Sequence, residues 1–228
     1  TTVLPGGLSA FSRVVVLPFG DMGFYWKPVL EAAAVLSVYG GALGLLVQTN
    51  IKRFAAYAVV MTNGVAVAAA ALGGFAAFVL FIGINTVLLT GLFAVMLSLR
   101  VGGDLSEELK VLKGQGRANA ERGALYSLVF LGLLGLPPLA GFWAYFAVWK
   151  AGFESGAAVV VVLLAIGNIL PAYVFLKIVR QMYFFDPSDE LSPAPEPMKI
   201  AIVSSAAISV FLPFFLGGVG HLIEQTVW

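Results

Sequence analysis

The sequence predicts an all-α fold: a polytopic transmembrane helix bundle with one discontinuous helix at about 121–151. Three observations lead there. The 228 residues are 60% hydrophobic and only 11% charged, where a soluble domain carries roughly 25% charged residues. The apolar residues gather in runs long enough to cross about 30 Å of hydrocarbon at about 1.5 Å per residue. One run is interrupted by Leu134-Gly135-Leu136-Pro137-Pro138-Leu139-Ala140-Gly141. Two prolines remove two backbone donors and clash with the preceding turn. Lipid cannot satisfy the freed carbonyls, so a break at membrane depth is packed in protein or lines a wet cavity.

The elements follow in order. Thr2 to Phe19 is an apolar segment that carries Arg13 and is loosened at its start by Pro5, Gly6 and Gly7. Asp21 to Lys27 is a polar turn, with Trp26 at an interface-like position. Val29 to Val47 spans, Thr49 to Arg53 makes a short basic loop, and Phe54 to Leu72 spans back to a Gly73-Gly74 turn. Phe75 to Leu99 spans again with Asn85 inside it. The polar stretch from Arg100 to Arg122 follows, and its centre, Asp104 to Lys113, reads as a short amphipathic helix on the surface. After the broken helix, Val159 to Tyr183 is a span holding Asn168 and Pro171, with Lys177 and Arg180 near its end. Asp186 to Pro197 is acidic and proline-rich, a solvated loop. Ile200 to Leu216 is the last span and Gly217 to Trp228 a short tail. This gives about seven spans in a single transmembrane domain by the length rule.

Basic residues set the orientation. Lys52 and Arg53 lie in one loop, Arg100, Lys110, Lys113, Arg117 and Arg122 in a second, and Lys177, Arg180 and Lys199 flank a third. If every segment crosses, all of these fall on one face, while the opposite loops hold only Lys27 and Lys150. The excess of lysine and arginine places that face in the cytoplasm or matrix.

Composition also excludes. A net charge of +1 gives no footprint for nucleic acid. With no cysteine there is no disulfide, thiolate metal site or iron–sulfur ligation, and the single histidine, His221, reads as an interfacial polar residue. No phosphate loop, dinucleotide fingerprint, metal-ligand cluster or Ser/His/Asp arrangement is present, so no catalytic, cofactor-binding or metal site is expected. No signal peptide is visible, and a chain starting at Thr1 is expected to be either processed or incomplete.

What remains is a sparse set of polar groups inside apolar spans: Arg13, Glu31, Asn85, Lys150 and Asn168. An ionisable residue in a membrane span is a functional candidate because inserting it costs several kcal/mol, about 2.5–3.5 on insertion scales. Glu31 and Lys150 lie near span ends, where they can snorkel to the interface. Asn85 and Asn168 either join helices by hydrogen bonds or belong to a polar axis. Arg13 sits well inside its segment.

These residues resemble a known family. Ser37 to Gln48 and Lys52-Arg53-Phe54-Ala55-Ala56-Tyr57 are similar to a loop and helix start of the N-type antiporter-like subunits of respiratory complex I, known in mitochondria as NADH dehydrogenase subunit 2. The segments 90–95, 108–114, 135–142 and 172–184 resemble, in the same order, the family's next helix, surface helix, broken helix and penultimate helix. The family fold holds two inverted repeats, each with a broken helix, and this chain matches the second repeat and the end of the first. A half-length chain without an initiator methionine then suggests a split subunit: a nuclear-encoded protein of the mitochondrial inner membrane, with the bacterial plasma membrane as the alternative.

The resemblance implies a non-redox membrane-arm subunit of proton-translocating NADH:ubiquinone oxidoreductase, contributing to proton translocation or its coupling. NADH, FMN, iron–sulfur clusters and quinone would act elsewhere in the complex. Implied partners are other membrane-arm subunits, a separate chain carrying the N-terminal half, and lipids such as cardiolipin. The alternatives are a subunit of a multisubunit cation/proton antiporter, or a non-conducting structural subunit.

Departures from the family pattern bear on the site. The usual lysine four residues after Gly141 is Tyr145, the usual lysine of the first segment is Arg13, and a frequent histidine is Thr62. Tyrosine and arginine do not exchange protons readily near neutral pH. Arg13, Asn85, Tyr145 and Asn168 are therefore the polar-axis candidates, Gly135, Pro137, Pro138 and Gly141 the break, and Glu31 and Lys150 interfacial charges. Lys150 does not replace the lost lysine: five residues leave it about 140° around the helix and about 7.5 Å along the axis from Tyr145.

Overall fold

The computed structural model describes residues 6–7, 23–72, 74–187 and 191–226. Apart from 6–7, the 2–19 segment, with Arg13, lies outside the described residues. Helix α1 spans Gly23–Leu46 and α2 spans Ile51–Ala71. Asn50 starts α2 by accepting from the Lys52 and Arg53 amides at 2.9 and 3.2 Å, which satisfies two donors that the first turn leaves over. The two helices form an antiparallel pair with small residues at the seam. A Cβ on Gly41 would lie 2.8 Å from that of Met61, and one on Gly64 would lie 2.9 Å from the Ala34 carbonyl oxygen. Without a hydrophobic drive between helices in lipid, such close backbone approach supplies the dispersion contact that holds them.

Helix α3, Phe75–Ser98, is the hub. It packs on α2, on the two halves of the broken helix and on the last helix, and buries Phe78, Phe81, Ile84, Leu88, Leu92 and Val95. The broken helix is α5, Ala120–Leu134, followed by α6, Ala140–Glu154; a short α4, Gln115–Ala118, precedes it. Then come α7, Ala158–Ile169, α8, Ala172–Phe184, and α9, Glu196–Thr226. Among the described residues, stretches 25–46, 51–71, 75–98, 158–184 and 196–215 are long and apolar enough to cross a membrane, and the α5–α6 pair lies among them.

Several expectations need correction. The expected surface helix at 104–113 is instead a two-stranded hairpin, β1 Arg100–Val101 with β2 Asp104–Leu105, followed by a single 3-10 turn at Leu109–Leu112. Gly102 and Gly103 adopt φ of 61° and 96°, the pairing that a tight hairpin turn needs. The backbone beyond it pairs with the 49–51 loop, Ile51 N–H donating to the Glu107 carbonyl at 2.7 Å and Leu109 N–H to Thr49 at 2.8 Å, so it has no need of a helical ladder. The span expected at 159–183 is present at 158–184, divided into α7 and α8 at Leu170 and Pro171, where Pro171 offers no donor to the preceding turn. The last helix runs through Thr226, past the tail expected from Gly217.

The loops rich in lysine and arginine meet at one end of the bundle. Lys52 pairs with Glu107, Arg117 with Asp186 at 2.9 Å, and Lys199 with Glu121 at 4.0 Å. Backbone bonds tie the same loops together: Gly114 N–H to the Gln181 carbonyl at 3.0 Å and Ser192 N–H to that of Arg100 at 2.8 Å. Arg122 donates to the Leu191 and Ser192 carbonyls, each at 3.3 Å. The Asp186 to Pro197 segment, expected as a solvated loop, is also anchored to this end where it is described.

Candidate functional site at the helix break

Helix α5 ends because Gly135 turns left-handed, at φ 77°. Its amide donates to Gly132 at 3.0 Å and the Leu136 amide to Leu131 at 3.2 Å, which closes the helix end. The next residues are the prolines. In an unbroken helix the amide of residue 137 would bond the Leu133 carbonyl and that of residue 138 the Leu134 carbonyl; Pro137 and Pro138 carry neither donor. Leu133 is buried, so its carbonyl cannot turn to water. The Tyr145 hydroxyl donates to it across a long 3.5 Å. Tyr145 therefore reaches back from the second half-helix to cap the first.

The geometry around that bond is tight. Tyr145 is 2% exposed, with its ring edge-on to Phe81 at 5.2 Å and tilted against Trp149 at 6.1 Å. A Cβ on Gly135 would lie 2.7 Å from the tyrosine ring. Gly141, in the first turn of α6, is pressed on the Gly132 carbonyl so closely that any side chain there would overlap it. Glycines 132, 135 and 141 thus let the two half-helices overlap at the break, while Pro137 and Pro138 face outward, exposed.

Polar groups gather around it. The Asn85 amide donates to the Phe81 carbonyl at 3.0 Å, one turn back along α3, and its Oδ1 is buried without a partner. Phe81 thereby links Asn85, through its carbonyl, with Tyr145, through its ring. Ser209 of α9 lies against Gly132, as Leu88 does, with its hydroxyl buried and unpartnered. One turn away, the Ser205 hydroxyl donates to the Val87 carbonyl of α3 at 3.0 Å. Nearer the basic end, Ser98 and Tyr126 share a buried hydrogen bond of 2.6 Å.

The remaining candidates scatter. Asn168 has both amide atoms buried without a partner, next to Gly167, which packs on Val38 and Tyr39 of α1; no hydrogen bond joins it to Tyr145. Thr62 bonds carbonyls of its own helix, Ala58 at 3.0 Å and Val59 at 3.1 Å. Glu31 is partly buried on α1 and makes no ion pair among the described residues. Lys150 is exposed on α6, 3.8 Å from Glu154 one turn on. Ser209 and Trp149, whose indole N–H is buried and unpartnered, were not legible as site residues. Ser205 and Ser209 do stand four apart in an apolar span, the one sign of a shared polar face.

A family model for NADH:quinone oxidoreductase/Mrp antiporter transmembrane segments matches residues 1–170. The chain is 31% identical over 207 residues to NADH-quinone oxidoreductase subunit N of Paramagnetospirillum magneticum, a match covering 90% of this chain and 42% of that protein. It is 32% identical over 206 residues to subunit N of Maricaulis maris, covering 89% and 43%. A chain of respiratory complex I from Thermus thermophilus with bound aureothin superposes with a TM-score of 0.69 and 26% identity, over 83% of this chain and 44% of that one. A chain of the Mrp complex from Dietzia shares the fold, with a TM-score of 0.77 at 16% identity over 95% of this chain and 48% of that one. This chain spans less than half the length of each of these relatives.

Proposed function

Because this chain belongs to the NADH:quinone oxidoreductase/Mrp antiporter transmembrane family, we propose that it forms the second repeat of an N-type membrane-arm subunit in a proton-translocating NADH:quinone oxidoreductase. In this reading it binds neither NADH nor a redox centre and contributes to proton translocation or to its coupling. The single observation that carries the mechanistic part is the Tyr145 hydroxyl on the carbonyl orphaned by Pro137. The position where the family usually has a lysine then holds the break in shape and takes no part in proton exchange. The polar cluster of Asn85, Ser205 and Ser209 transmits field and conformation to neighbouring subunits, and Arg13 adds a fixed positive charge.

The exposed prolines support a covering partner. Irregular backbone at membrane depth is tolerated where protein or a wet cavity covers it. In our reading, the other repeat of the subunit meets this chain, on a separate polypeptide or on the same one. The mitochondrial inner membrane is part of the proposal; the relatives named above are bacterial, which supports a bacterial plasma membrane as the alternative.

A second reading, a subunit of an Mrp-type antiporter, is favoured by the shared fold with the Dietzia complex. Affinity purification from native membranes separates the two. The proposal expects this chain to travel with NADH:quinone oxidoreductase activity and with flavin and iron–sulfur absorbance in its partners. Recovery with antiporter subunits alone, free of redox centres, would overturn it.

A further inference from the structure

A groove of about 520 Å³ lies at the basic end of the bundle, between the end of α1, the 49–50 loop, the 3-10 turn and α8. Its walls are apolar at Leu46, Val174 and Ile178, and its rim carries Lys110 and Lys177. We propose that it is a binding site for the phosphate headgroup of an anionic phospholipid, and this holds whether or not the chain conducts protons.

Depth is the first argument. Lys177 stands seven residues before Phe184, the end of α8, hence about 10 Å below it at about 1.5 Å per residue. The apolar wall at Leu46 closes α1 at the same end. A lysine at this level reaches the headgroup layer with its stem along apolar surface.

Charge is the second. Lys110 lies 2.5 Å from Glu108, which also lines the groove. Among the described residues no carboxylate lies within ion-pair distance of Lys177, whose ammonium rests 5.9 Å from the Tyr173 ring. Two cations against one anion leave the groove net positive, and a phosphate oxygen can bridge Lys177 to the opposite rim.

The third argument selects a lipid over a soluble phosphate. The surfaces beside the groove are apolar and exposed: Val47, just past the end of α1, at 76% and Tyr173 at 66%, with Leu43 and Leu176 about half exposed. Acyl chains laid along them gain contact that inorganic phosphate cannot.

The test is native mass spectrometry of the full chain in its purified membrane complex, titrated with dioleoylphosphatidylglycerol. The site is expected to fill ahead of bulk binding. Lys177→Gln, an exposed change that leaves assembly intact, weakens it about five-fold, the effect of one basic residue at a lipid surface. Lys177→Arg retains binding, and Lys150→Gln, an equally exposed lysine on α6, leaves it unchanged. Millimolar inorganic phosphate does not displace the lipid. Equal affinity of Lys177→Gln and the parent overturns the site; displacement by phosphate assigns it to a soluble anion and overturns the lipid.

Discussion

Among the described residues, two apolar stretches are interrupted at proline, and they end differently. At Pro171 the backbone stays helical: Leu170 and Pro171 both keep right-handed angles, and the Val174 and Phe175 amides bond the Pro171 carbonyl at 2.9 and 3.0 Å. At Pro137-Pro138 the path leaves the helix altogether, from a left-handed Gly135 to an extended Leu139. One proline removes one bond, and the flanking turns carry the helix across. Two prolines behind a glycine that adopts positive φ remove two bonds and redirect the chain. Only the second kind orphans a carbonyl that a distant side chain must satisfy. A proline in a membrane helix is therefore weak evidence of a site; the surrounding glycines and the capping group make the case.

The largest expected effect that would break this contrast is at Gly141. Gly141→Ala forces a methyl group onto the Gly132 carbonyl, both of them backbone-bound, and destabilises the chain by about 3 kcal/mol, the upper end for overpacking. A thermal midpoint in detergent that matches the parent would show that the half-helices are not in contact. Pro171→Ala should act weakly and in the other direction. It returns a donor to the Gly167 carbonyl without changing the backbone path, a gain of about 0.5 kcal/mol. A loss as large as that of Gly141→Ala would mean that the second interruption, too, is built for a purpose.

Outside the membrane, Glu107 gives a pH-dependent contrast. Hydrogen bonds from Lys52 and Asn50 hold its carboxyl below the ordinary carboxylate value of 4.5. The unfolded chain then binds the proton more readily, so the contribution is present above about pH 4.5 and is lost as pH falls through the lower folded value. The effect is small because the pair is exposed. Protection factors for hydrogen exchange at the Ile51 and Leu109 amides, which join the same two loops, should fall at acidic pH in the parent and change less in Glu107→Gln. Smallest of all is Lys150→Ala. Exposed and, among the described residues, paired with Glu154 alone, Lys150 should leave the proton-to-electron ratio of the assembled complex unchanged. A fall in that ratio with electron transfer intact would make it a relay.

Much of the bundle could be read from the sequence because lipid imposes a strong rule: long apolar runs must become helices. The break was equally plain, since Pro137-Pro138 with Gly135 and Gly141 can do little else. What stayed hidden depends on where separate elements land. The turn at Gly102-Gly103 carries its own hairpin signal, but the charges at 104–113 suggested a helix face, and the pairing of 107–109 with the 49–51 loop is a tertiary contact without local trace. Tyr145 was expected to face a polar interior. That its hydroxyl would meet the Leu133 carbonyl follows only from the overlap of the two half-helices. Ser209 shows only its i, i+4 spacing from Ser205, and Trp149 carries no pattern that separates it from ordinary span residues.

The central claim is that Tyr145 holds the break and moves no proton, and Tyr145→Phe in the assembled complex tests it most directly. The change keeps the ring against Phe81 and removes only the hydroxyl from the Leu133 carbonyl. The expected result is a lower thermal midpoint, equivalent to about 1 kcal/mol for an unmade buried hydrogen bond, with the proton-to-electron ratio and its pH profile unchanged. A fall in the ratio at unchanged stability and unchanged electron transfer would contradict the account and make Tyr145 a member of the proton path.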